Sequence, residues 1–351
     1  MILPLAEAPR SVCILRLSAI GDTCHVVPVL RTMQKVWPTT RFTWIIALSE
    51  SRLMRLIEGV EFIIVDKRAG LGALAAAHRE LAGRRFDVLL DMQVALRASL
   101  IALHVGAAVK LGFDRPRARE LQWLFTNARI AERSREHVLE SFFGFPEALG
   151  IKERLLRWDI TLPDAARDYA RALIPDAQRT LIISPCSSHA ARNWRPEYYA
   201  AVAEHAAQRH GMQVILSGGP SALEQATGAA MMAAVRVPLK NQIARDTLPE
   251  LLALLARATA LLSPDSGPVH MATMVGTPVV GLYAATNPAR SGPYLSQQWC
   301  VNAYGAAARR FRHCEAEELP WTTKIEAPGV MDLIQVEEVI AKLDELLRSL
   351  P

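Results

Sequence analysis

The sequence predicts an α/β protein built from two parallel sheets in tandem, one per domain, facing across a cleft. Three observations lead there. Short β-branched, apolar runs alternate with amphipathic helical stretches along most of the chain. The strand candidates are apolar almost throughout rather than at every second position, which marks strands covered on both faces. At 351 residues the chain exceeds one typical core and fits two domains. We expect an N-terminal domain at 1–165, a second at 176–330 and an amphipathic C-terminal helix within 331–351.

In order, residues 11–17 read as a strand and 18–22 as a tight loop. The next segment reads as a helix with Val26, Val27, Leu30, Met33 and Val36 on one face, its regular part delayed by Pro28. Strands follow at 42–47, 61–65, 86–91 and 108–112, with helices at 71–82 and 94–105. Residues 150–180, a mixed stretch with Trp158, Pro163 and Pro175, read as an interdomain linker. The second alternation has strands at 180–184, 213–217, 235–239, 258–262 and 278–283, and helices at 196–210, 222–234 and 248–257. The strand at 258–262 should break at Ser263-Pro264. A final helix carries Val336, Val339, Ile340, Leu343, Leu346 and Leu347 on one face.

Composition narrows the function. With 51% apolar and 21% charged residues the chain is globular, not disordered. No apolar run reaches the roughly 18 residues of a membrane helix, and the first ten residues lack the basic and apolar regions of a signal peptide. The odd set Cys13, Cys24, Cys186, Cys300 and Cys314, without close pairs, argues against a disulfide framework and a zinc site and for the reducing cytosol. Residues 1–150 carry 20 basic and 15 acidic side chains, whereas 151–351 carry 20 of each. The whole +5 excess therefore lies in the first half. That is too small for a nucleic-acid-binding lobe, so no nucleic acid is expected, but it suits an anionic substrate or a membrane surface. The phosphate-binding P-loop, HExxH, CxxC and G-x-S-x-G are all absent, as is a G-x-G-x-x-G after the first strand.

Candidate chemistry sits in loops at the carboxyl ends of strands, where α/β sheets bind ligands. Asp22 follows the first strand, placed either to react or to cap the helix. In the second half, Asp265, Ser266 and Gly267 lead into a helix with Pro268 in its first turn and His270 beyond. A helix N-terminus of this kind, with a glycine that admits close approach, attracts phosphate. The loops at 187–192 and 218–224 add Ser187, Ser188, Arg192 and Glu224. If their strands are neighbours, the three loops line one pocket with hydroxyls, a guanidinium and a histidine, the equipment for a diphosphate leaving group. Taken singly, each of these residues also suits an ordinary structural role.

The stretch Arg16-Leu17-Ser18-Ala19-Ile20-Gly21-Asp22 resembles the first loop of bacterial lipopolysaccharide heptosyltransferases, and Ser263-Pro264-Asp265-Ser266-Gly267-Pro268-Val269-His270 resembles their D-[ST]-G-x-x-H donor loop. Tyr283 to Pro288 is similar to the segment that follows. Residues 86–93 and 112–120 look most like the enzyme that adds the first heptose. The resemblance runs through nearly the whole chain. It implies a GT-B fold of two Rossmann-like domains and inverting transfer of heptose from ADP-heptose, a substrate, to the Kdo–lipid A inner core. It implies no metal and no other cofactor. Asp22 matches the family's general base. Ser187, Ser188, Asp265, Ser266, Gly267 and His270 match donor-binding positions, and Glu224 falls near a donor-contacting glutamate. Arg192 stands where better-known members carry lysine. Arg97 and Arg119 align near the acceptor, an anionic lipid-linked glycan at the inner membrane surface, so the expected location is the cytosol, peripheral to that membrane. The same fold also serves other nucleotide sugars and acceptors, nucleotide-sugar epimerases and hydrolases, and non-catalytic sugar-nucleotide binding.

Overall fold

The structure, a computed structural model, describes residues 3–350. It divides into two compact units, the first ending at Thr161 and the second beginning at Leu162.

The first unit carries β1 (Ser11–Leu15), β2 (Arg41–Ala47), β3 (Glu61–Val65), β4 (Arg85–Asp91), β5 (Gly106–Gly112) and the short β6 (Ala128–Arg129), all parallel, in the order β3-β2-β1-β4-β5-β6. Val12 to Leu15 are fully buried, as expected of a strand covered on both faces. Strand order reverses between β1 and β4, where Leu15 is in register with Asp91. A reversal of this kind opens a crevice at the carboxyl ends of the two strands.

The helix Ile20–Val36 runs straight through Pro28, contrary to the delayed start expected from sequence. Proline leaves the carbonyl four residues back, that of Cys24, without its helical donor. The buried Trp158 indole supplies the bond instead, from Nε1 to Cys24 O at 2.9 Å. A residue 134 positions away thus removes part of the helix penalty.

The second unit repeats the plan with β7 (Thr180–Ile183), β8 (Gln213–Leu216), β9 (Lys240–Asn241), β10 (Ala260–Pro264), β11 (Val279–Tyr283) and β12 (Val301–Asn302), parallel in the order β12-β11-β10-β7-β8-β9. Its order reverses between β7 and β10. The core holds Trp194, Tyr199, Leu216 and Leu262 together with Val339, Leu343, Leu346 and Leu347 of the last helix, Val336–Ser349. That helix is therefore an integral layer of the second unit.

Three further expectations are corrected. β10 continues through Pro264 instead of breaking at Ser263. Its pairing with β7 ends at Leu262↔Ile183, and only β11 accompanies it further, so the missing proline N–H falls where one ladder has already stopped. The strand expected at 235–239 is displaced to β9, because pairing with Ile215 and Leu216 selects Lys240 and Asn241 over the more apolar residues before them. Part of the expected linker is a helix, Asp164–Leu173, which packs in the second unit against Leu248–Arg257. Its buried stripe includes two alanines, Ala166 and Ala170, too small to announce it.

Candidate active site

In the first unit the crevice between β1 and β4 is closed by a small polar framework. Asp22 lies in the first turn of Ile20–Val36 and is half-buried. Its Oδ2 accepts from Arg16 Nη2 and from the Ala19 backbone N–H at 3.3 Å. The carboxylate thus acts as a cap and an ion-pair partner, through one of its two oxygens. Arg16 is anchored in turn by donating through Nη1 to Met92 O at 2.5 Å. Gln93 Oε1 accepts the N–H groups of Leu17 at 2.6 Å and Ser18 at 3.3 Å. The turn after β4 therefore holds the segment from Arg16 to Ser18 that leads into the helix carrying Asp22.

Asp91, at the end of β4, is fully buried, and neither of its side-chain oxygens makes a hydrogen bond of good geometry. Burial pushes its carboxyl up to about 7, against smaller opposing influences from Gln122, the Gln93 backbone, Arg16 and Lys110.

Of the basic residues in this unit, Arg97 and Arg119 are exposed, and Arg97 donates to Lys67 O at 3.2 Å. Lys67 pairs with the buried Glu50 at 3.3 Å. Arg117 is committed to Asp114, to Glu136 at 3.1 Å and to Ser141 Oγ at 2.8 Å, so it braces the fold.

In the second unit β10, β7 and β8 are consecutive neighbours, and the three candidate loops leave the same edge side by side. The helix Gly267–Met274 starts there with Ser266 as its cap residue, and His270 is buried within it. Ser263 Oγ donates to Ser184 O at 2.9 Å and lies 2.8 Å from Ser266 Oγ, tying this loop to the one after β7. Ser187 is buried and its N–H donates to Asn193 Oδ1 at 2.6 Å, whereas Ser188 is exposed.

Arg192 is the centre of the site. It is 9% exposed, and its guanidinium lies between two carboxylates, 3.4 Å from Asp265 Oδ2 and 2.9 Å from Glu326 Oε1. Burial is the largest single influence and would raise the Glu326 carboxyl, but Arg192, helped by His189 and Lys324, holds the group below its ordinary value. The positions where a divalent cation would seek carboxylates are thus already bridged by a guanidinium. Glu224 is engaged locally: its carboxylate accepts the Gly219 N–H at 2.6 Å and the Ser221 hydroxyl at 2.5 Å, closing the start of the helix Ala222–Ala234.

Sequence reasoning missed Glu326, which is brought in by the bond from Ile325 N to Ala285 O at 2.8 Å, and Asp246, whose Oδ2 accepts from Ser217 Oγ at 3.2 Å. Burial pushes Asp246 up to about 6. Among the described residues, one group has the donor set of a metal site, His205, His210 and Asp344. It joins the C-terminal end of the helix Pro196–His210 to the last helix, away from the strand ends that carry the three loops.

Residues 74–319 match Glycosyltransferase family 9 (heptosyltransferase). The lipopolysaccharide core heptosyltransferase OpsX of Haemophilus influenzae is 39% identical over 340 residues, 97% of this chain and 98% of that protein. Lipopolysaccharide heptosyltransferase 1 of Pseudomonas aeruginosa is 26% identical over 306 residues, covering 82% of each chain. A solved glycosyl transferase family 9 structure from Veillonella parvula superposes with a TM-score of 0.79 at 21% identity, covering 97% of this chain and 98% of that one. The E. coli heptosyltransferase WaaC, solved with ADP, gives 0.71 at 20% identity over 96% and 99%. The architecture is that of the GT-B fold.

Proposed function

The chain belongs to glycosyltransferase family 9, the heptosyltransferases, and from that premise we propose that it moves heptose from ADP-heptose to the Kdo region of the lipopolysaccharide inner core, with inversion at the anomeric carbon. That it is a heptosyltransferase of lipopolysaccharide core biosynthesis follows from its relatives; donor, acceptor and stereochemistry are our reading. The relative WaaC has been solved with ADP and with ADP-2-deoxy-2-fluoro heptose, which supports the donor. The observation that carries the proposal is Arg192, held by Asp265 and Glu326 where three strand-end loops and a helix N-terminus gather.

In this reading the acceptor hydroxyl attacks the anomeric carbon from the face opposite the diphosphate. Asp22 takes the hydroxyl proton as the bond between the anomeric carbon and the phosphate oxygen breaks. ADP departs with the electron pair, and its growing charge is met by Arg192 and the N–H groups at Gly267. No metal takes part. Transfer assayed in EDTA with ADP-, UDP- and GDP-linked heptose should proceed with the ADP donor alone. Equal use of the UDP or GDP donor, or a requirement for Mg²⁺, would overturn the proposal.

Arg192→Ala should weaken ADP binding roughly 10- to 100-fold, the usual scale for a charged hydrogen bond. Arg192→Lys keeps the charge but not the fork and should recover part of it. Calorimetry gives both values, and a melting curve separates them from the destabilisation expected when Asp265 and Glu326 lose their shared counter-charge. Unchanged ADP affinity in Arg192→Ala would remove Arg192 from the donor site.

The acceptor is anionic and meets Arg97 and Arg119. Because both are exposed, their attraction is screened beyond about 8 Å at physiological salt. The acceptor KM should climb with ionic strength while the donor KM changes less. Arg97→Glu with Arg119→Glu should raise the acceptor KM and leave ADP binding intact. A salt-independent acceptor KM, with the double reversal behaving as wild type, would place the acceptor elsewhere.

A further inference from the structure

The helix Leu96–His104 and the neighbouring loop after β5 in the first unit expose four leucines to solvent. Leu96, Leu103, Leu121 and Leu124 are 46%, 56%, 53% and 58% exposed, four of the nine large apolar side chains open to solvent among the described residues. Leu96 and Leu103 are seven residues apart in the helix Leu96–His104 and share one side of it. The Leu96 N–H donates to Glu120 Oε2 at 2.7 Å, which sets Leu121 beside the start of that helix. Glu120 and Leu121 both hold positive φ, 50° and 63°, a region ordinary side chains seldom occupy. The chain therefore accepts local strain in a loop that presents an apolar side chain to water, where relaxing would be easy. Strain retained in this way points to use.

The surroundings of the leucines name the occupant. Arg97, Arg115 and Arg119 are exposed around them, and the Arg115 guanidinium lies 3.6 Å from the centre of the Trp123 ring. Three acids of the adjoining segments are committed, Glu120 to the helix start, Asp114 and Glu136 to Arg117. Separate exposed leucines among arginines, with a tryptophan between two of them in the chain, match a bilayer interface, where apolar tips enter the acyl boundary and guanidinium groups meet anionic headgroups.

We propose that this face, formed by the helix Leu96–His104 and the loop carrying Leu121 and Leu124, seats the enzyme on an anionic lipid surface. The proposal rests on the reading of the acceptor as a lipid-linked glycan, and it specifies how the enzyme reaches that acceptor.

The test is flotation of the full chain with vesicles of phosphatidylethanolamine and phosphatidylglycerol, and with phosphatidylcholine alone. Wild type should float with the anionic vesicles at low salt and stay behind with the neutral ones. Leu121→Glu with Leu124→Glu, both at exposed positions, should reduce the bound fraction roughly tenfold or more, because two buried apolar contacts become charged. ADP binding and transfer to a deacylated, water-soluble acceptor should match wild type. Three results would overturn the proposal: wild type that ignores anionic vesicles, a variant that floats like wild type, or sedimentation showing that the leucines join two copies of the chain. Failure of the functional reading is visible separately, as absence of transfer from ADP-heptose by an enzyme that still floats.

Discussion

Asp22→Asn should lower kcat by roughly 10²–10⁴, about 3–5 kcal/mol of barrier, with ADP affinity almost unchanged. The substitution keeps the size of the side chain and an oxygen for the Ala19 N–H and Arg16, so the start of Ile20–Val36 should hold. It removes the ability to take a proton. In the wild type both structural bonds go to Oδ2, so Oδ1 is the oxygen left for the acceptor hydroxyl. In the proposed mechanism the donor is held by the second unit, so ADP titration by calorimetry should give wild-type values. A melting curve close to wild type, measured alongside, assigns the lost turnover to chemistry. Near-wild-type turnover would return Asp22 to a cap and ion-pair partner, the roles its geometry displays.

The three strand-end loops of the second unit were legible because each is a strand, a short polar loop and a helix start in immediate succession, so adjacency along the chain reports adjacency in space. β1, β2, β3, β4 and β7 were legible through near-continuous apolar runs. The edge strands β6, β9 and β12 have two residues each and exist because a neighbour offers ladder bonds, which no local pattern records. The helix Val138–Ala148 escaped notice behind Gly144 and Pro146, breakers outvoted by burial of Phe142, Phe143 and Phe145. At the site, Glu326 was invisible for a similar reason: it reaches Arg192 across 134 residues of sequence. Arg192 was expected from sequence as a phosphate ligand, but the two carboxylates that hold it are a tertiary fact. Gln93 lay inside a recognised motif, yet its hold on the backbone of Leu17 and Ser18 follows only from the pairing of β4 with β1.

Asp91 carries the second large expectation, a pH-dependent loss of stability confined to the wild type. Its carboxyl titrates near 3.8 when unfolded and is pushed up to about 7 by burial in the native chain. Between those values the native state holds a proton that the unfolded state has released. Stability from this group is therefore greatest below about 4, declines as pH rises through the window, and its loss is complete above about 7. The displacement corresponds to at most about 4 kcal/mol, and water entry or local relaxation would reduce it. Asp91→Asn has no proton to lose. Melting of the two proteins, followed at pH 5 and pH 8 through the transition of the first unit, should show the wild type losing ground to the variant at the higher pH. Comparing the two at each pH cancels the titration of every other group. The effect should also reach the site, since Asp91 is followed directly by Met92 and Gln93, which hold Arg16 and the Leu17–Ser18 backbone. A wild-type minus variant difference that is the same at pH 5 and pH 8 would mean that Asp91 keeps an ordinary carboxylate pKa, solvated or paired in solution.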